Sequence, residues 1–182
     1  MNVLNPDQST ESLISRANKV LPAGSFGNMP GDIVLERGKA GRVWDINGTE
    51  YIDFLLGSGP MFVGHAHPDV TKAITEQAPQ GTTFFANNQY GIKLAEEICE
   101  AMACADQLRF VSSGSEATLY AMRLARAYRK RDKILKFEGG YHGMSDYSLM
   151  SLAPTRLANY PQALPDSAGI PKQVSNEVII AP

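Results

Sequence analysis

Two short stretches of this chain combine small residues with groups able to hold an anion or a flat ring. The first is Ser112-Ser113-Gly114-Ser115-Glu116-Ala117, between an apolar tetrapeptide at 108–111 and a run of helical spacing. At a helix start the first backbone N–H groups have no intrahelical acceptor, the dipole favours negative charge, and glycine lets a ligand approach the backbone. The hydroxyls of Ser113 and Ser115 add further donors, so the stretch meets the requirements of a phosphate site. It also meets those of an ordinary helix cap with Glu116 in the first turn, and spacing alone leaves both readings open.

The second stretch is Gly139-Gly140-Tyr141-His142-Gly143, directly after an apolar segment that reads as a strand. A right-handed βαβ unit would make that strand parallel to the one expected at 108–111 and bring both loops to the carboxyl edge of the sheet, where open α/β sheets bind ligands. An anion cradle beside one aromatic ring and one imidazole suits a phosphorylated heteroaromatic cofactor. A glycine-rich turn with a packed tyrosine and a satisfied histidine is the structural alternative.

Rival motifs are incomplete. Gly59 and Gly64 have P-loop spacing, but His65-Ala66 occupy the places of Lys-Ser/Thr, and no G-x-G-x-x-G follows a strand. His65 and His67 have one other histidine in the chain and no completing ligand cluster, so they read as loop-fixing residues ahead of Pro68, with no metal site. Asp45 and Asp53 read as turn or strand-edge residues.

The elements that must position these groups follow from periodicity. Residues 10–21 read as a helix capped by Ser9 or Thr10 and ended by Pro22, followed by a Gly/Pro-rich loop. Strands are expected at 33–37, 42–46 and 50–55, the last two joined through Asn47-Gly48, a hairpin signal because both positions tolerate positive φ. Trp44, Ile46, Tyr51 and Phe54 are the expected packing residues of that meander, and Phe84-Phe85 read as core or interface. Helices are expected at 68–78, 89–103 and 115–130. Their apolar stripes run through Val70 and Ile74, through Leu94 and Ile98, and through Ala117, Leu124 and Tyr128. Strands at 133–137 and 177–180 flank an irregular stretch with Pro154, Pro161, Pro165 and Pro171. Only two or three strands would form the main sheet, and the chain ends on one of them, so a truncated sequence is expected.

Hydrophobic residues make up 43% of the chain and the net charge is −2, so a core is feasible and nothing attracts nucleic acid or an anionic membrane. The basic run Arg129-Lys130-Arg131 complements a helix C-terminus. The polar start carries no signal-peptide pattern, and Cys99 and Cys104, expected in one helix, read as buried thiols of a reducing cytoplasm.

Four segments in order carry a resemblance. They are Phe110-Val-Ser-Ser-Gly-Ser-Glu-Ala117 with Arg123-Leu-Ala-Arg126, Lys133-Ile-Leu-Lys-Phe-Glu-Gly-Gly-Tyr-His-Gly143, Gly64-His-Ala-His-Pro68, and the hairpin Trp44-Asp-Ile-Asn-Gly-Thr-Glu-Tyr-Ile-Asp-Phe54. Together they resemble class III aminotransferases, most closely the branch containing glutamate-1-semialdehyde aminomutase, from about Glu11 onward. The resemblance implies an α/β fold-type I pyridoxal-phosphate-dependent transferase: its N-terminal segment plus the first part of the large-domain sheet. Residues 1–56 would belong to the small domain and 57–182 to an incomplete cofactor-binding large domain. It implies pyridoxal 5'-phosphate as cofactor, a small amine or keto substrate, a homodimer, and a cytoplasmic location. By motif position Gly114 and Ser115, beside Ser113, would hold the cofactor phosphate, Tyr141 would stack on the ring and His142 would line the same site. The lysine that holds the cofactor and the aspartate on its ring nitrogen come, in this family, from later sequence, so the chain alone is expected to be inactive.

Two positions depart from the aminomutase pattern. No arginine follows Pro22 in Ala23-Gly-Ser-Phe-Gly-Asn-Met29, and Ser58 stands where a tryptophan is expected. A bidentate arginine clamp on a carboxylate is poorly replaced by Ser or Asn. The resemblance thus implies an aminotransferase of different substrate, with the aminomutase as the alternative. A non-catalytic fragment or simple phosphate-binding module is the reading from another class.

Overall fold

A computed structural model describes residues 9–27, 29, 31–153, 155 and 159–182. The polar start at 1–8, Asn28 and Pro30 of the first loop, and Pro154 lie outside the described residues. The chain forms two compact units, Met1–Asn87 and Asn88–Pro182.

In the first unit, helix α1 spans Thr10–Val20, with Ser9 accepting the Ser12 N–H at 3.2 Å and Lys19 in the last turn. It gives way to a 3₁₀ turn at Pro22–Gly24, as the proline dictates. Strands β1 (Leu35–Lys39), β2 (Arg42–Asp45) and β3 (Glu50–Ile52) form an antiparallel meander in that order. The first strand lies two residues later than expected, and the third is shorter. Positive φ at the hairpin falls on Gly48 (85°) and not on Asn47. The Asp45 carboxylate decides this: it accepts the N–H groups of Asn47 and Thr49 at 3.0 and 2.8 Å, while the Gly48 N–H bonds to the Asp45 carbonyl. Ile46 and Asn47 therefore sit at the centre of the turn and glycine supplies the left-handed residue after it.

Val43 and Asp45 are the buried members of β2, and Trp44 lies under the Arg37 guanidinium at 3.8 Å. Phe54 does not join this packing; it is 92% exposed. The register ends at Ile52, and Asp53 then turns the chain by accepting the N–H groups of Leu55 and Leu56. Helix α2 spans Pro68–Gln77 with proline in its first turn.

The second unit holds α3 (Gln89–Ala101), capped by Asn88, α4 (Gly114–Arg129), β4 (Ile134–Phe137) and β5 (Val178–Ala181). Arg126 and Arg129 occupy the last turn of α4, and Lys130 closes it in the left-handed region. Strands β4 and β5 pair in parallel, Ile134 opposite Val178 through Phe137 opposite Ala181. Residues 108–111 do not form a strand: nothing among the described residues pairs with them, and strand structure exists only in pairs. The parallel pair joins the strands before and after the irregular stretch.

The core of this unit is Met150, Ala163, Val178 and Ile180, with Tyr147, Ile170 and Val174 packed against it. The helix stripes are not buried: none of α1 to α4 contains a fully buried residue, and Leu124 is 71% exposed. A stripe is covered only where a second layer exists, and two four-residue strands supply too little sheet for α3 and α4. Phe84 and Phe85, in the first unit, are exposed as well. Cys99 is half-buried in α3, whereas Cys104 lies past its end and is exposed, against the expectation of two buried thiols.

Candidate functional site

The start of α4 realises the cap first. Ser113 accepts the Glu116 N–H at 3.2 Å, and the Glu116 carboxylate reaches back to the Ser112 N–H at 2.7 Å. This is a capping box displaced by one residue. It leaves the N–H groups of Gly114 and Ser115 without an acceptor among the described residues. A Cβ built on Gly114 would meet nothing within 4 Å, so the approach to these donors is open. Capping and anion binding therefore coexist here: Ser113 and Glu116 serve the helix, and the next two N–H groups remain for a ligand.

The loop at 139–143 is brought against this helix start. The Thr118 hydroxyl donates to the His142 carbonyl at 2.6 Å, and the Met144 N–H donates to Ser115 Oγ at 3.1 Å. A hydroxyl accepting one hydrogen bond keeps its proton, so Ser115 retains a donor for an anion. Gly139 and Gly143 both have positive φ (73° and 90°), which a bulkier residue adopts only with strain. Tyr141 is 66% exposed and His142 is exposed, and neither side chain has a hydrogen-bond partner among the described residues. Ser113, Gly114 and Ser115 thus share one neighbourhood with the backbone of the Tyr141-His142 loop. That juxtaposition holds although residues 108–111 are not a strand.

Sequence reasoning missed Thr118 and Met144, whose bonds join the helix start to a loop more than twenty residues away in sequence. It also missed Lys136. This lysine of β4 is buried, and its ammonium donates to the carbonyls of Ser148 and Met150 at 2.9 and 2.6 Å. Burial pushes its pKa down, with Asp166 opposing. Strand alternation was the available signal: Ile134 and Lys136 share the inner face, while Leu135 and Phe137 face outward and are exposed. A cavity of about 300 Å³ lies here, with Thr118, Met122, Lys136, Phe137, His142 and Tyr147 in its lining.

The other candidates are structural. His65 bonds to Asp53 at 2.6 Å, and its backbone bridges to Ala40. The His65 hydrogen bond, followed by that from the Leu56 N–H, holds the Asp53 carboxyl below the usual aspartate value. His67 precedes α2 and makes no side-chain cap. Among the described residues no group of three or more His, Cys, Asp or Glu could hold a metal, and no helix is long and apolar enough to cross a membrane.

Comparison with known proteins adds a family-level result. The model of the family described as aminotransferase class-III matches residues 24–176. Among solved structures, an omega-transaminase from Sphaerobacter thermophilus matches with 32% identity and a TM-score of 0.86, covering 98% of this chain and 42% of that one. A transaminase with PLP bound matches at 31% identity and a TM-score of 0.84, over 95% of this chain and 41% of that one. A glutamate-1-semialdehyde aminomutase from Pseudomonas aeruginosa PAO1 matches at 26% identity and a TM-score of 0.73, over 94% and 38%. The chain spans about two-fifths of the length of these structures.

Proposed function

The chain belongs to the class III aminotransferase family, and on that premise we propose that it carries the phosphate- and ring-binding part of a pyridoxal-phosphate-dependent aminotransferase. The reaction is transfer of an amino group between an amine or amino acid and a keto acid or aldehyde. Class III aminotransferases use pyridoxal phosphate. The observation that carries the assignment to residues is the joining of two unpaired N–H groups, at Gly114 and Ser115, to the loop bearing Tyr141 and His142.

In this reading the Gly114 and Ser115 N–H groups and the Ser115 O–H hold the phosphate, with Ser113 keeping the helix start in shape. Tyr141 covers the ring and excludes water from one face, and His142 lines the same site. Bound pyridoxal phosphate supplies the electron sink for the carbon that loses its proton. The lysine that holds the cofactor lies outside residues 1–182. Lys136, which lines the neighbouring cavity, is not that lysine, because its ammonium is committed to the Ser148 and Met150 carbonyls. The chain alone then binds cofactor without turning over substrate. Residues 1–56 belong to the small domain and 57–182 to the large one. The protein works as a homodimer in a reducing cytoplasm, a reading supported by the exposed Phe62, Phe84 and Phe85 and the two unpaired cysteines.

Amino transfer is favoured over aminomutase chemistry by Ser58 and by the lack of an arginine between Ala23 and Met29. The test is a titration of the chain with pyridoxal phosphate followed by absorbance, repeated with inorganic phosphate as competitor, and then borohydride reduction with peptide mapping. Binding that phosphate displaces, with no reduced adduct on a lysine, is expected. A stoichiometric adduct on one lysine overturns the view that the holding lysine is elsewhere. Binding indifferent to phosphate overturns the assignment of Gly114 and Ser115.

A further inference from the structure

Three consecutive residues after Tyr141 are fixed to the first turns of α4. The His142 carbonyl accepts from Thr118 Oγ1 at 2.6 Å, the Met144 N–H donates to Ser115 Oγ at 3.1 Å, and Gly143 lies between them, buried. A Cβ built on Gly143 would fall 2.5 Å from Ser115 Oγ and 2.6 Å from Ser115 Cα. The second of these is main chain and cannot rotate away. Gly143 also has φ of 90°, so glycine is required there twice over.

Thr118 has one hydroxyl proton and two carbonyls in range, its own-helix neighbour Ser115 at 3.0 Å and His142 at 2.6 Å. The shorter contact takes the proton, because hydroxyl donors prefer about 2.7 Å. A threonine that merely bonded back within its helix would be commonplace. This one spends its proton on a residue 24 positions away.

We propose that Thr118, with Gly143, is a positioning clasp that makes the phosphate-holding turn of α4 and the Tyr141-His142 loop one rigid unit. The inference rests on the cofactor reading given above. Thr118 is assigned no contact with the cofactor; it acts by setting where Tyr141 and His142 stand relative to Ser115. If the two halves of the site are coupled in this way, loosening the clasp weakens recognition of a molecule that spans both halves. It leaves recognition of a ligand that uses only the helix start unchanged.

The experiment compares Thr118→Val, which keeps the shape and removes the hydroxyl, with Thr118→Ser, which keeps the hydroxyl. The readouts are Kd for pyridoxal phosphate, Kd for inorganic phosphate, and the exchange rate of the Met144 amide in the full chain without cofactor. Losing one hydrogen bond of ordinary net strength corresponds to about a tenfold change. T118V is expected to bind pyridoxal phosphate about tenfold more weakly, to bind inorganic phosphate as before, and to exchange the Met144 amide about tenfold faster. T118S is expected to restore all three. Thr118→Ala replaces T118V if valine disturbs the helix. Unchanged pyridoxal phosphate binding in T118V, or equal losses for both ligands, overturns the clasp while the cofactor reading stands. Failure of the unmodified chain to bind pyridoxal phosphate overturns the cofactor reading and the clasp's role with it.

Discussion

The β-meander of the first unit and the α4–β4 loops of the second treat their hydrogen-bond donors in opposite ways. In the meander, Asp45 accepts from the Asn47 N–H, the Thr49 N–H and the Tyr51 hydroxyl, and Asp53 accepts from Leu55, Leu56 and His65. Each carboxylate accepts three hydrogen bonds from nearby chain, which ties it to the turn it organises. At the start of α4 the cap satisfies only part of the helix end and two N–H groups stay open beside a loop fixed by Thr118. Polar groups that are satisfied locally hold a fold together. Those left unsatisfied on a rigid frame are available to a ligand.

The largest effect that would sharpen this contrast concerns Lys136, the buried charge behind the candidate site. Lys136→Met removes the donor for the Ser148 and Met150 carbonyls, both in buried residues, and is expected to cost on the order of 2 kcal/mol of unfolding free energy. Denaturant unfolding with an unchanged slope measures it. The pH dependence has a defined sign. Burial lowers the folded-state pKa of this lysine, so the unfolded chain binds more protons just below the ordinary lysine value of about 10.4. Native stability should therefore rise with pH in that window, and the methionine variant should lose the rise. A variant as stable as the parent would mean that the second unit does not depend on its polar core.

A smaller effect is expected in the meander. Asp45→Ala deprives the Asn47 and Thr49 N–H groups and the Tyr51 hydroxyl of their shared acceptor, and should lower the thermal midpoint on the order of 5 °C. Burial works against the Asp45 carboxylate, but hydrogen bonds from Thr49, Tyr51 and Asn47 outweigh it and hold its pKa below the usual aspartate value. An aspartate so lowered stabilises the fold above its unfolded pKa, and that contribution disappears as pH falls through the folded one. The parent should thus lose stability below about pH 3.9 more steeply than D45A. An identical acid limb in both would break the claim that this carboxylate organises the hairpin.

The smallest effect belongs to Arg42 and Glu50, an ion pair across β2 and β3 whose side chains are 52% and 44% exposed. Glu50→Ala should change stability by no more than a few tenths of a kcal/mol, because exposed pairs gain little against water and salt. A large loss measured by the same unfolding curve would show that cross-strand charge, and not the Asp45 network, fixes the meander.

Local chemistry in the sequence determined a good deal. Ser9 and Ser113 were legible as helix caps because capping uses a side chain and an N–H only two or three residues apart, and the cap at Asn88 could have been read on the same ground. The hairpin at residues 42–52 and the glycine-rich loops at 114 and 139–143 were legible for the same reason, and so was the family. Tertiary structure alone decided the rest. Whether residues 108–111 become a strand depends on a partner, whether the α4 stripe is covered depends on a second layer, and whether Thr118 serves its own helix or His142 depends on a loop 24 residues on. Lys136 looked like one more strand residue until the fold surrounded it with carbonyls. Hydrogen bonds within a turn are encoded by neighbours in sequence. Pairing, burial and cross-loop bonds depend on groups that only the folded chain brings together.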